Sequence, residues 1–587
     1  MHTVSTDVLV VGAGLAGLTA SAFLAQAGIP AITLSRHSGT APQPRASFTN
    51  QRTMEVFRDL GVEHDVRLVS TPGLTMGHNV MATSLAGQEI LRFQTYGVGD
   101  RLTDYHLASP CEFFNSPQHV LEPVILRAAV ERGADVRFSH ELLTIEQTDE
   151  EVVARILDRG TGEEYLVRAK YAIGADGGRS RVAEQIGIPF EGESALMHMI
   201  NAWIEVDLTE HTAYRPGGIY MIFQPGGGSW VGSGSFVTVR KWDDWVLVRE
   251  YDPSGGEPDT SDGAVIEAAR ALIGNPNIPV RVKGISKWQV NNLVAKEYRR
   301  GRVFIAGDAA HRHSPAGGLG SNTCIQDSYN LAWKLAFVLK GKAGAGLLDS
   351  YQEERQPVGK QIVDRAMINL KNKSALGEVL GLRRGQSAEE GWASLRSLFS
   401  DEPGAAERRE ALAAVRALQH SRSNAHGVAL GQRYTSSAVV DDGTPFPEPT
   451  RDPEIYYHPT THPGARLPHV WVERDRQSVS SLDLAGHGRF CLIVGIGGEP
   501  WVEAAASLSA EFGIELPVFA IGYRCAYDDV LGDWARAREI DDRGALLVRP
   551  DQHVAWRSRT RPSSPRDALA HALRKALALG PGCTKRG

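Results

Sequence analysis

The chain has 587 residues, a net charge of −6, 42% hydrophobic and 22% charged residues. At roughly 100–200 residues per domain that length provides two to four domains with large cores. The mildly acidic balance, without a basic block, argues against nucleic-acid and membrane-surface partners.

Five scattered cysteines (111, 324, 491, 525 and 583) include no Cys-x-x-Cys and no metal-ligand spacing. With no apolar run of bilayer length and no signal-peptide core, the expected setting is a reducing cytoplasm. "DVLVVGAGLAGLTASAFLAQAGIPAITLSR" (7–36) reads as strand, glycine turn, helix, strand, with Leu18, Phe23 and Leu24 at packing positions and Gly28 ending the helix. Helices are predicted over 51–60, closed by Gly61, and over 118–132, ended by Gly133. From 190 to 290 short alternating strands predict an antiparallel sheet. "RVFIAGDAA" returns to buried-strand character before a helix over 322–339, and 383–425 reads as helical, partly as a surface linker. Beyond 465 a separate small α/β unit follows.

Gly12, Gly14 and Gly17 form G-x-G-x-x-G between the first strand and the first helix. The first glycine permits the turn, the second lets backbone approach a pyrophosphate, and the third lets helix and strand pack. The amides at the helix start, at Leu15 and Ala16, then face the phosphates. The pattern predicts a dinucleotide without separating NAD from FAD. The second strand ends in Ser35 and Arg36, where an acid usually binds the adenosine ribose. Arg36 therefore reads either as a contact to the adenine side or as a solvated surface residue.

"YAIGADGGRSRV" (171–182) places Asp176-Gly177 after another strand. "GDAAHRHSPAGGLGSN" (307–322) is more specific. Asp308 ends a buried strand, where its carboxylate can accept from polyol hydroxyls. Gly317, Gly318 and Gly320 permit backbone to approach a flat ring, and a helix beginning near Asn322 aims amide donors at it. A reduced isoalloxazine acquires the negative charge such donors stabilise. His311 and His313 form H-x-H without a third ligand at an obvious spacing, so structural hydrogen bonding is expected and no metal. Pro315 is placed on the ring's substrate side.

These three signatures in this order, with "PRASFTNQRTMEVFRDLG" (44–61), "SLDLAGHGRF" (481–490) and "GALLVRPDQHVAWR" (544–557), resemble the single-component flavin-dependent aromatic hydroxylases, in their phenol hydroxylase branch, essentially end to end. The resemblance implies an α/β fold: a Rossmann-like FAD-binding domain of the p-hydroxybenzoate hydroxylase kind, an antiparallel substrate sheet and a thioredoxin-like C-terminal domain without redox cysteines. The corresponding boundaries are 1–189 (with substrate-domain segments inserted near 75–105), 190–290, 291–400, a helical connection over 401–455, and 456–587. It further implies that Arg45, Arg52 and Gln118 hold tightly bound FAD with Asp308, Gly318, Leu319 and Asn322. NADPH or NADH would act as a transient reductant, O2 would add at flavin C4a, and the hydroperoxide would hydroxylate an activated ring. A homodimer is implied by analogy. An oxygenase inserting oxygen beside a polyketide ketone and a non-catalytic flavin-binding protein are the competing readings. A halogenase is disfavoured because no Trp-x-Trp-x-Ile-Pro segment exists.

Two positions depart from the family. Ser47 stands where close relatives carry a histidine, and Asn115 where they carry an acid. Serine is a poor base at neutral pH, so the expected substrate is one whose hydroxyl ionises readily, such as a hydroxypyridine or a polyhydroxylated ring. Tyr220, Met221, Phe223 and Trp230 are expected either to line the substrate pocket or to be plain core. Arg240 reads as a substrate or nicotinamide-phosphate contact, or as a surface ion pair.

Overall fold

The computed structural model describes residues 2–225, 233–383 and 385–580; Trp230 and Cys583 fall outside them. Five parallel strands form the body of the first, eight-stranded sheet, in the order Val303–Ile305, Glu164–Gly174, Thr3–Val11, Ala31–Ser35, Asp135–Phe138. Val8, Leu9 and Val10 are fully buried because the sheet is covered on both sides. Helix Leu15–Gln26 packs against helix Gly320–Leu339, and the Ser328 hydroxyl donates to the Ala16 carbonyl at 2.7 Å. Both helices point their N-termini into one cleft at the carboxyl ends of the strands, where open α/β sheets bind ligands.

A second, eight-stranded sheet roofs that cleft, and the segment 78–94 contributes two of its strands. Alternation divides its residues cleanly between two faces. Tyr220, Ile222, Phe236, Trp245 and Leu247 lie on the outer face, packed with Val265, Leu272 and Ile273 of helix Asp262–Ile273. Ile219, Met221, Ser235, Val237 and Val248 share the inner face. The helix Asp349–Leu380 crosses from the first sheet to this inner face, where Leu376 and Leu380 meet Met221 and Phe223. Helices Ala388–Leu398 and Ala405–Ser423 close over the same patch, burying Leu395, Leu398 and Val415. Residues read from sequence as a partly surface linker are therefore a packed cover on the roof.

The C-terminal unit is a four-stranded sheet in the order Val518–Ala520, Cys491–Val494, Ala545–Val548, Val554–Ser558, with helices Glu499–Phe512 and Pro565–Ala576. This is a thioredoxin-like arrangement. Its described cysteines are unpaired, and burial pushes the Cys491 thiol up to about 12, far from a redox-active value. The unit is joined to the rest by buried charge. Glu354 accepts from Arg549 at 2.6 and 2.7 Å, from Lys334 at 2.7 Å and from Asn330 at 2.7 Å, with these side chains essentially inaccessible to solvent.

Candidate active site

The first turn assigns its glycines different tasks. A Cβ on Gly12, at φ +111°, would sit 2.1 Å from the Ala175 carbonyl oxygen, and one on Gly17 would sit 1.7 Å from that of Gly12. Both are required by backbone packing. A Cβ on Gly14 would meet nothing closer than Glu122 Oε1 at 3.7 Å, so this position opens toward the cleft. Gly14 caps the helix without any side-chain bond, which leaves the amides of Leu15, Ala16 and Gly17 directed at a ligand. Asp176 lies against this turn, its Cα 2.9 Å from the Gly12 Cβ position. Its carboxylate is committed to its own segment, accepting from the Ser180 hydroxyl and from the amides of Arg181 (2.7 Å) and Val182 (3.1 Å). Asp176 thus braces the phosphate turn, and its side chain is not offered to a ligand.

The second glycine loop is tied from three sides. Asn322 accepts from the Asn50 amide at 2.9 Å and donates to the carbonyls of Phe48 (2.9 Å) and Gly318 (2.7 Å). Asn369 donates to Ala316 at 3.1 Å. Asp327, wholly buried, accepts from the Gly307 amide at 3.0 Å, from His311 at 2.9 Å and from Arg355 at 2.7 Å. Burial raises its carboxyl, but Arg355 and His311 outweigh that and hold it below the ordinary value. Gly317 and Gly318 adopt φ +109° and +67°, and a Cβ on Gly318 would press on the Phe48 ring at 3.2 Å. Helix Gly320–Leu339 begins with no side-chain cap, so its first amides also point into the cleft, beside the exposed Asp308 carboxylate and the exposed Pro315 ring. His313 bonds the Ser314 carbonyl at 2.7 Å, and burial lowers it to about 4, so it is neutral. The two histidines of H-x-H have separate protein partners, the hydrogen-bonding role expected of them.

Gln118 and Arg45 stand together, the Gln118 amide donating to the Arg45 carbonyl at 2.9 Å. The Gln118 side chain is oriented by Glu122, which accepts from it and from the Ala41 amide at 2.6 Å each. Burial pushes the Glu122 carboxyl up. Sequence reasoning missed Glu122; its signal is an acid one turn after Gln118 on a helix face shared with Leu121 and Ile125. Ser35 is buried at the end of its strand, while Arg36 is exposed beside it.

Several expected residues lie elsewhere. Arg52 is buried and turned away from the cleft, donating to Glu55 (2.9 Å), Gln552 (2.7 Å) and the Asp551 carbonyl (2.8 Å). It links helix Gln51–Leu60 to the C-terminal unit. Burial raises Glu55, but Arg466 and Arg52 hold it at about 2. Asn115 is fully buried, and its amide donates to the carbonyls of Thr238 (2.9 Å) and Val239 (3.4 Å), tying the FAD-side loop to the roof. A carboxylate here would confront two carbonyl oxygens. Tyr220 is on the outer face, donating to the Arg215 carbonyl at 2.9 Å and stacked edge-on against Trp245. Phe223 is core between the roof and its helical cover. Arg240 is 63% exposed in its side chain and paired with Asp243 at 2.8 Å. Of the expected pocket residues, Ser47 is part-exposed at the cleft, whereas Met221, though on the inner face, is packed with Phe223 against Leu376 and Leu380 as core.

An aromatic trio absent from the sequence reading completes the wall. Tyr96 stacks on Phe113 at 4.2 Å between centroids, and Phe48 leans on Tyr96 at 4.8 Å. Phe48 sits between two glycines, because a Cβ on Gly218 of the roof would also lie 3.2 Å from its ring. A glycine inside a strand marks such a close approach.

The residues fit a bound flavin dinucleotide: an open glycine between two packed ones, two uncapped helix N-termini, an exposed carboxylate and a glycine loop under an aromatic wall. A largely parallel sheet carrying these parts beneath a largely antiparallel roof is the arrangement of a dinucleotide-binding flavoprotein with a second, ligand-facing sheet. The family model "FAD binding domain" matches residues 5–366, and "Aromatic-ring hydroxylase, C-terminal" matches residues 460–579. The chain belongs to the FAD-dependent aromatic-ring hydroxylases. It is 44% identical to the 2,4-dichlorophenol 6-monooxygenase of Delftia acidovorans over 98% of this chain and 99% of that protein. Among solved structures it matches the flavin-dependent monooxygenase PieE, in complex with FAD and substrate, with TM-score 0.95 and 45% identity over 98% of this chain and 100% of that one. Aklavinone-11 hydroxylase, in a ternary complex with FAD and aklavinone, matches with TM-score 0.81 and 32% identity over 98% and 99%. The chain is therefore a monooxygenase with FAD as cofactor and NAD(P)H as reductant. Ring hydroxylation is the activity these relatives support, in preference to oxygen insertion beside a ketone or flavin binding without turnover. Among the described residues no helix is long and apolar enough to cross a membrane.

Proposed function

We propose that this enzyme hydroxylates a phenolic or hydroxypyridine-type ring beside its hydroxyl group, in aromatic catabolism or natural-product tailoring. The observation that carries the substrate reading is the chemistry around Ser47. Among the described residues no base bonds the part-exposed Ser47 hydroxyl, His313 is held neutral, and Asn115 is engaged with backbone carbonyls.

When bound, FAD supplies the electron store and the oxygen activation. The chain does the rest. Gly14 and the amides after it would hold the pyrophosphate, Asp308 would accept from the ribityl hydroxyls, and Gln118, fixed by Glu122, would hold the polyol side. The amides at Gly320 and Ser321 would stabilise negative charge on the ring system. Phe48, Tyr96 and Phe113 exclude water from the substrate side. Ser47 donates a hydrogen bond to the substrate oxygen and stabilises its ionised form without removing the proton. An ionised oxygen enriches the neighbouring ring carbon for electrophilic attack.

The similarity to 2,4-dichlorophenol 6-monooxygenase, named for a phenol acidified by its chlorines, supports this reading. We further infer a homodimer in a reducing cytoplasm, in keeping with four unpaired described cysteines; sedimentation of the holoenzyme tests the dimer. The main test is substrate-stimulated NAD(P)H oxidation across phenols and hydroxypyridines of graded acidity, with products identified by mass spectrometry. Hydroxylated product forming fastest with the more acidic hydroxyls is expected. Oxidation without hydroxylated product from any ring would overturn the reading.

A further inference from the structure

The inner face of the roof carries a polar pair that no sequence motif marks. Register places Met221 opposite Ser235, Ser235 opposite Val248, and Val248 opposite Asn201. These four therefore form one cross-strand row on the face toward the cleft, because paired residues project to the same side. The alternate residues, Tyr220, Phe236, Leu247 and Ala202, are buried on the outer face. Ser235 and Asn201 are only half-buried, in a row otherwise apolar.

Asn201 is held in one orientation. The Trp288 indole N–H donates to Asn201 Oδ1 at 2.8 Å, and an indole nitrogen can only donate. The carbonyl end of the amide is thereby assigned to Trp288 and the NH2 end is directed away from it. Among the described residues the Asn201 NH2 has no acceptor. The ligand side of the row thus presents a fixed double donor, with the Ser235 hydroxyl two strands away.

We propose that Asn201 is a specificity-determining residue whose amide N–H groups, aimed by Trp288, donate to an acceptor on the substrate ring: an ionised hydroxyl, a carbonyl or a ring nitrogen. The proposal rests on the cleft being a ring-hydroxylation site and narrows its substrates to rings with an acceptor remote from the reacting carbon. A site built to hydrogen-bond a group rejects the analogue lacking it, because its own polar atom is then left unpaired.

The test uses full-length FAD-loaded enzyme and two probe pairs: 3-hydroxypyridine against phenol, and 4-hydroxyacetophenone against 4-ethylphenol. Binding is followed by calorimetry, and KM and kcat by product formation. Wild type should favour the acceptor-bearing member of at least one pair by about 10-fold or more in Kd. Asn201→Leu should erase that preference while changing kcat at saturation less than about 3-fold. Trp288→Phe, which frees the amide to turn, should erase part of it. Equal discrimination by wild type and both variants, or equal affinity loss for both members of each pair, overturns the role of Asn201 alone. A wild type that hydroxylates none of the four probes, nor any ring of the wider panel, overturns the hydroxylase reading and this inference with it.

Discussion

The two sides of the cleft are built from different materials. The cofactor side is made of backbone: uncapped helix amides, glycines at positive φ, carbonyls held by Asn322 and Asn369, and the Gly307 amide held by Asp327. The substrate side is made of side chains projecting from a twisted sheet and an aromatic trio. Backbone geometry tolerates almost no change at a few positions and is indifferent elsewhere, whereas a side-chain wall can be altered residue by residue. One half fixes the chemistry; the other is free to set the ring that receives it.

The largest effect should come from breaking the backbone half. Gly12→Ala and Gly17→Ala each force a Cβ within about 2 Å of a carbonyl oxygen (2.1 and 1.7 Å), and should give protein without flavin, destabilised by more than about 4 kcal/mol. Gly14→Ala, with clear space around it, should fold normally and lose about 10-fold in FAD affinity. Flavin-to-protein ratio and melting temperature separate the two outcomes; equal damage at Gly12 and Gly14 would contradict the division of roles.

Next in size is the charge web joining the C-terminal unit. Removing one partner of a buried ion pair leaves the other uncompensated, so Glu354→Gln should cost about 3–5 kcal/mol, read by chemical denaturation. The acid response should follow from two buried histidines. Burial, reinforced by Arg101 and Arg466, lowers His426 to about 3, and burial lowers His553 to about 3. The unfolded chain takes up these protons near pH 6.5 and the folded chain does not, so stability falls as pH drops below that value. At pH 5 each histidine costs about 2 kcal/mol. His426→Gln should flatten the pH dependence of melting between 7 and 5, and an unchanged slope would refute the assignment.

On the side-chain half the effects shrink and become substrate-dependent. Ser47→His should raise kcat about 10-fold on weakly acidic phenols and leave acidic hydroxypyridines nearly unchanged, which pH–rate profiles on both classes will reveal. Arg240→Ala, removing an exposed ion pair, should leave stability and the KM for NADH, NADPH and the aromatic substrate within about 2-fold.

The same division governs how much could be read in advance. Gly12, Gly14, Gly17 and the 307–320 stretch are legible because only glycine satisfies those backbone conformations and approaches, and such a requirement leaves a local mark. Arg52 differs from the expectation because an arginine near a cofactor loop has the same sequence appearance whether it meets a phosphate or, as here, Glu55 one turn on and Gln552, 500 positions away. Tyr220 and Met221 are neighbours in the sequence, yet strand alternation sends them to opposite faces of the roof. Asn201, Trp288 and Glu122 carry no motif. Their roles exist only once strands pair and a helix face is buried.

What the sequence by itself determined is the nucleotide scaffold: strand, turn and helix written in glycine spacing and apolar runs, enforced by short-range sterics. Only the tertiary structure decided which side chains line the substrate wall, which charges are spent joining domains, and that no base among the described residues bonds Ser47. Those depend on strand register and on contacts between residues hundreds of positions apart, which no local pattern encodes.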